Sequence, residues 1–140
     1  VPRRRSFQIR RARDTDREAI WKVHTESIRA LCAGWYGDAE IDVWIARLTP
    51  EVYRGAILNR VMLVAEDADD VVGFGQLDVE RREVEAVYVR PEGVRRGIGA
   101  AILRRLEELA RTQGIGRLHL CASLNAQGFY AAHGYRPMQK

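Results

Sequence analysis

The sequence is poor in the residues that build metal centres and disulfide frameworks. Its two cysteines, Cys32 and Cys121, lie far apart and outside any Cys-x-x-Cys or Cys/His cluster. That excludes the usual zinc and disulfide patterns and leaves two buried thiols as the expectation. His24, His119 and His133 show no metal spacing either, so no metal is expected and the three read as surface or core histidines. No apolar run approaches the roughly 18 residues that a membrane span needs, and no membrane contact is expected. The basic N-terminal stretch VPRRRSFQIRRA has no apolar segment behind it, so it does not read as a secretory signal; the cytoplasm is the expected location. Repeats, linkers and low-complexity segments are also missing. The 140 residues suit one domain, 1–140, with a single core.

A continuous basic stripe is lacking too. The net charge is +4, but beyond Arg3–Arg5 and Arg10–Arg13 the arginines alternate with Asp and Glu along the chain. A nucleic-acid footprint would cluster its positive charge and interleave aromatics. A dedicated DNA reader is therefore rejected and an RNA-associated protein kept only as a weaker option, while a small anionic ligand stays open.

What is present is periodicity. Phe7 to Arg11 reads as a short strand, followed by a helix capped at Asp14 or Thr15 that carries Ala19, Ile20, Val23, His24, Ile28 and Leu31. Asp38 to Leu48 forms a second helix, with Ile41, Trp44, Ile45 and Leu48 on one face, and Thr49-Pro50 starts another turn through Leu58. Val61–Glu66 and Val71–Val79 form a hairpin around the acidic turn Asp67–Asp70, and Glu83–Val89 is the next strand, stopped by Arg90-Pro91. A helix follows with Ile98, Ile102, Leu106 and Leu109 on one side and the pairs Arg104/Glu108 and Glu107/Arg111 on the other. Arg117–Ala122 reads as a strand, Asn125–Ala132 as a short helix, and Gly134 opens a last extended piece. The order β-α-α-β-β-β-α-β-α is an α/β sandwich, with parallel pairing expected at the late strand–helix–strand crossover.

The stretch VRRGIGAA, residues 94–101, places two glycines at the start of a strong amphipathic helix. Glycine inside a helix costs about 1 kcal/mol against alanine. At a helix start, however, it lets an anion approach unpaired N–H groups at the positive end of the dipole, and Arg95 and Arg96 add charged donors. A tight strand-to-helix turn alone would explain the glycines equally well. A P-loop is excluded because Ala100-Ala101 stand where Lys-Ser or Lys-Thr would be needed. A dinucleotide fold is excluded because its glycines follow the first strand, whereas only about forty residues follow Gly99.

VEAVYVRPEGVRRGIGAAIL resembles the acetyl-CoA-binding motif of the GNAT (Gcn5-related) N-acetyltransferase superfamily, and SLNAQGFYAAHGY is similar to its later motif. The resemblance extends over nearly the whole chain. It implies a three-layer acyl-CoA N-acyltransferase fold, α/β, with a mixed central sheet flanked by helices. Acetyl-CoA is then the co-substrate, its pyrophosphate on the backbone of Arg95, Arg96, Gly97, Ile98, Gly99 and Ala100, with Val94 in the loop ahead of them. Its pantetheine arm lies along Val87, Tyr88 and Val89. The acetyl group passes by direct attack to a primary amine of a small molecule or a protein.

An ammonium must lose a proton before it attacks. Glu85 is the favoured base because it lies nearer the Val87 backbone; Glu83 is the reserve, and a water relay without a single base is the alternative. Tyr130 is placed to protonate the departing thiolate, and Phe129 is read as core. Asn125 either caps its helix or binds the pantetheine. Trp35 and Tyr36, with Asp38, Glu40 and Asp42, form the expected substrate loop, although Trp44 reads as core.

Two positions depart from the pattern. Val94 stands where a polar residue is usual, so its phosphate contact passes to Arg95 or Arg96. Only five residues follow Tyr135, so the final strand is expected to be short or missing, and a homodimer covering the open edge is the expectation. A catalytically weak CoA-binding or partner-binding domain on the same fold is the competing reading.

Overall fold

The computed structural model describes residues 7–93 and 96–138. Strand β1 (Gln8–Arg11) leads through a tight turn into helix α1 (Arg17–Leu31), and α2 (Asp38–Ala46) and α3 (Tyr53–Asn59) follow before the rest of the sheet. The cap of α1 lies at Asp16, one residue beyond Thr15 and two beyond Asp14, the expected caps: its carboxylate accepts the Arg13 N–H at 2.7 Å and two bonds from Arg10 at 2.8 and 2.9 Å. Strands β2 (Val61–Asp67), β3 (Asp70–Asp78) and β4 (Glu83–Val89) complete an antiparallel sheet in the order β1-β2-β3-β4. The β2–β3 turn puts Ala68 and Asp69 at φ of 50° and 72°, the positive values that a two-residue hairpin turn requires.

The two faces of the sheet bury different helices. On one, α4 (Ile98–Thr112) packs Ile98, Ile102, Leu103 and Leu106 against Leu63, Leu77 and Val84. Helix α4 comes this close because β3 floors it with glycines: a Cβ on Gly75 would lie 2.4 Å from Ile102 Cγ2 and 3.0 Å from Leu106 Cδ1. On the other face, Ile20 and Val23 of α1 and Tyr53 of α3 cover Val64 and Phe74, and a smaller cluster of Ile28, Cys32 and Ile41 joins α1 to α2. Trp44 packs there as expected, its ring edge-to-face with Tyr36 at 5.9 Å.

The expected layering of helices about a central sheet stands, but the mixed character of that sheet comes down to one parallel bridge, Glu83 with His119. The strand expected over Arg117–Ala122 does not form. Leu118, Leu120 and Ala122 pack on the core, so the alternation was real, yet the backbone leaves β4 after His119. Segment 124–132 is a 3-10 turn followed by α5 (Gln127–Ala132), and among the described residues nothing beyond it joins the sheet. The tail is anchored instead through Tyr135, whose hydroxyl donates to Glu107 at 2.8 Å. That contact, together with Arg105–Glu108 at 3.6 Å, stands where the pairs Arg104/Glu108 and Glu107/Arg111 were expected.

Candidate active site

Strand β4 has one satisfied edge and one open edge. Toward β3 it is paired on both sides of a bulge at Glu85. On the other side Val84 N–H donates to the His119 carbonyl at 2.9 Å and His119 N–H to the Arg82 carbonyl at 3.0 Å. From Glu85 to Val89 no strand among the described residues continues that ladder. A cavity of about 360 Å³ fills the gap between this edge and the segment carrying Cys121, Ser123 and Asn125. Backbone donors and acceptors facing such a space call for a partner able to bond in an extended arrangement.

The glycine turn closes one end of the cavity. Gly97 is left-handed, with φ 77° and ψ 13°, a conformation that disfavours any side chain. Its carbonyl takes the Ala101 N–H at 3.0 Å, while the N–H groups of Ile98, Gly99 and Ala100 begin the helix without intrahelical acceptors. Gly97, Gly99 and Ala100 line the cavity. Ile98 contributes only its backbone, because its side chain is fully buried under the sheet. Arg96 pairs with Asp67 at 2.8 Å. Val94 and Arg95 lie outside the described residues.

At the other end, Glu85, Tyr130, Asn125 and Trp35 share the cavity wall with Val87, Tyr88 and Val89. Glu85 sits where β4 bulges: Gln76 pairs with Ala86 while Leu77 pairs with Val84. Strict alternation would put Val87 on the Glu85 side. The extra residue instead sends Val84, Val87 and Val89 toward the α4 core, while Glu85 meets Gln76 and Arg60 on the other face. Oε1 of Glu85 accepts from Arg60 Nε at 3.0 Å and Gln76 Nε2 at 2.9 Å. Glu83 is not part of the cavity wall and faces His119 Nε2 at 3.9 Å.

Tyr130 is buried, with ring contacts to Phe129 at 5.1 Å and Tyr135 at 5.8 Å. Burial pushes its phenol up to about 12, so it stays protonated as a donor at neutral pH. Asn125 does not cap its turn; its Oδ1 accepts the Cys32 thiol at 3.4 Å. Tyr36 serves the wall rather than lining it, its hydroxyl accepting Leu124 N–H at 2.9 Å. Trp35, 58% exposed, stands at the cavity wall with its ring largely free. Of the loop carboxylates, Glu40 closes the start of α2 on Gly37 N–H at 3.0 Å and Asp42 pairs with Arg29 at 3.4 Å.

Ser27, Cys32, Cys121 and Ser123 also line the cavity and were not anticipated there. Cys121 is exposed, against the expectation of two buried thiols; Cys32 is buried, which pushes its thiol up. No spacing rule joins Cys32 to Asn125, 93 residues away. Among the described residues no group of His, Cys, Asp or Glu is arranged to hold a metal ion, and no helix is long and apolar enough to cross a membrane.

Comparison with known proteins decides the family. The profile described as "Acetyltransferase (GNAT) domain" matches residues 32–140. The chain belongs to the GNAT acetyltransferase family. As a member it is an acetyl-CoA-dependent N-acetyltransferase. It is 27% identical to the spermidine N(1)-acetyltransferase of Thermoplasma acidophilum, over 94% of this chain and 89% of that protein. A GCN5-related N-acetyltransferase from Rhodopseudomonas palustris superposes with a TM-score of 0.89 at 26% identity, covering 94% of this chain and 82% of the other. The PaiA N-acetyltransferase of T. acidophilum, solved in complex with coenzyme A, gives 0.85 at 24% identity, covering 94% and 90%.

Proposed function

We propose that this GNAT domain transfers the acetyl group of acetyl-CoA directly to a primary amine of a cationic small molecule, with spermidine as the first candidate. The observation that carries this reading is the unpaired β4 edge facing a cavity that also holds Glu85 and Tyr130. The edge fits an extended arm bearing amides, and the N–H groups at the start of α4, between Gly97 and Ala101, suit a pyrophosphate. Acetyl-CoA supplies the activated acyl group. The chain's own residues align it along Val87–Val89, keep the thioester next to Glu85 and exclude bulk water behind the aromatic wall.

Glu85, directly or through water, takes the proton that the ammonium must lose, and the free amine attacks the thioester carbonyl. Tyr130, neutral and lining the same cavity, returns a proton to the sulfur as the C–S bond breaks. Charge supports a cationic acceptor: Glu85 and Asp78 share the single guanidinium of Arg60, a cluster of net charge −1. Spermidine is favoured by the relative of that name in T. acidophilum, and the exposed ring of Trp35 offers a cation–π surface.

The test is incubation of the protein with acetyl-CoA and spermidine while free thiol is followed. Thiol release that depends on the amine, with mass-identified acetylspermidine, supports the reading. Thermal stabilisation by CoA without thiol release against spermidine or a primary-amine pool overturns it in favour of a binding module. Tight RNA binding with a steep salt dependence and no turnover overturns both.

A further inference from the structure

The carboxylate of Glu85 is held by a device that the reaction itself does not require. One oxygen, Oε1, accepts from both the Arg60 guanidinium and the Gln76 amide, which tethers the carboxylate at that oxygen. The guanidinium at 3.0 Å, however, sets a positive charge beside the carboxylate that has to meet a cationic amine. The same Arg60 Nε lies 3.4 Å from Oδ2 of Asp78, a buried carboxylate at the end of β3. Asp78 is anchored independently, its Oδ1 accepting Arg81 N–H at 3.1 Å in the β3–β4 turn.

We propose that Asp78 is a positioning residue for the acetyl transfer, acting through Arg60: it offsets the guanidinium charge so that Glu85 is oriented by Arg60 without being neutralised by it. The inference rests on the reading of Glu85 as base. The charge count shows how it works. With Glu85 ionised the cluster carries −1, which draws the cationic amine. With Glu85 protonated it carries zero, because Arg60 and Asp78 still form a pair. Without Asp78 the protonated state would leave an uncompensated guanidinium in a partly buried site, a costly arrangement.

The surroundings add little competing charge. Glu83, on the same strand, is turned toward His119 at 3.9 Å. On α1 and α3, which cover this face of the sheet, His24 is held neutral by burial and the Tyr53 phenol is pushed up by it. From the rest of the cavity wall come Tyr88, Tyr130 and Cys32, all kept protonated by burial, and the exposed Cys121.

The test compares kcat/KM for spermidine against pH, with acetyl-CoA saturating, in wild type, Asp78→Asn, Arg60→Gln, Arg60→Lys and Glu85→Gln. Asparagine keeps the acceptor for Arg81 N–H and removes only the charge. Asp78→Asn is expected to move the acid limb of the profile to lower pH by about one unit and to reduce its plateau. Arg60→Gln is expected to move that limb to higher pH by a similar amount. Arg60→Lys should restore the wild-type position. Opposite displacements cannot come from a general loosening of the fold, and melting curves of each variant check that separately. Limbs that stay fixed or move together in Asp78→Asn and Arg60→Gln, while Glu85→Gln abolishes the limb, overturn the proposal and leave Glu85 as base. A limb that survives in Glu85→Gln overturns the reading of Glu85 and the proposal with it.

Discussion

His24 makes folding stability depend on pH in a window that no other group with a resolved shift shares. Its Nδ1 lies 2.8 Å from the Tyr53 hydroxyl, and its ring packs against Tyr88 at 4.4 Å and Phe74 at 5.4 Å. Burial among these rings lowers its pKa from 6.5 to about 4. Because the folded value is depressed, the unfolded chain binds the proton more readily. Stability is therefore complete above pH 6.5, falls as pH drops toward 4, and loses nothing more below that. The full loss is roughly 3 kcal/mol, and about 2 kcal/mol of it is gone at pH 5. For a domain of this length that is roughly 7 °C in Tm. Asp16 titrates lower: burial opposes its ionisation, but Arg10 and the Arg13 N–H hold it below 3.8, so its contribution is lost only beneath that pH. The assay is thermal melting of wild type and His24→Asn at pH 7, 6 and 5, asparagine keeping an acceptor for Tyr53 without a titrating ring. The wild type should lose about 7 °C more than the variant between pH 7 and 5. Parallel curves would refute the argument that His24 is buried neutral.

Two further outcomes follow from packing and from the wall of the cavity. Gly75→Ala should destabilise the protein by about 1–3 kcal/mol, read by urea unfolding, because the added Cβ meets Ile102 and Leu106 inside a filled core; an unchanged midpoint would show that α4 can shift freely. Tyr130→Phe keeps the ring contacts and should leave Tm and the KM for acetyl-CoA near wild type while lowering kcat about 100-fold; full turnover would remove Tyr130 from the chemistry.

The order of elements was legible because each long element carries its own period. Ile98, Ile102 and Leu106 repeat at helical spacing and are all fully buried on one face. The hairpin of β2 and β3 announced itself by β-branched runs around an acidic turn. Segment 117–122 misled for an instructive reason. Alternation reports that one face of an extended segment is buried, and Leu118, Leu120 and Ala122 do pack on the core. It says nothing about whether a neighbouring backbone is within hydrogen-bonding reach. The bulge at Gln76/Leu77 was hidden in the same way, since a residue inserted into one strand leaves no trace in composition. Arg60 and Asp78 stayed unseen because only the fold brings the end of α3 and the end of β3 together beside Glu85.

These two failures of the period-two reading fall on the same few residues of β4. The bulge turns Glu85 onto the face where Arg60 and Gln76 wait, and the divergence after His119 strips the far edge of the strand just beyond it. A regular strand would bring neither result, for full pairing would close the cavity and strict alternation would put Val87 on the Glu85 side. An edge left open in a protein interior invites another chain. Here the aromatic wall of Phe129 and Tyr130 and the tie from Tyr36 to Leu124 leave a space of about 360 Å³. The same irregularities that cost the strand its ladder thus leave its backbone open to the cavity and set the Glu85 carboxylate in the wall of that space.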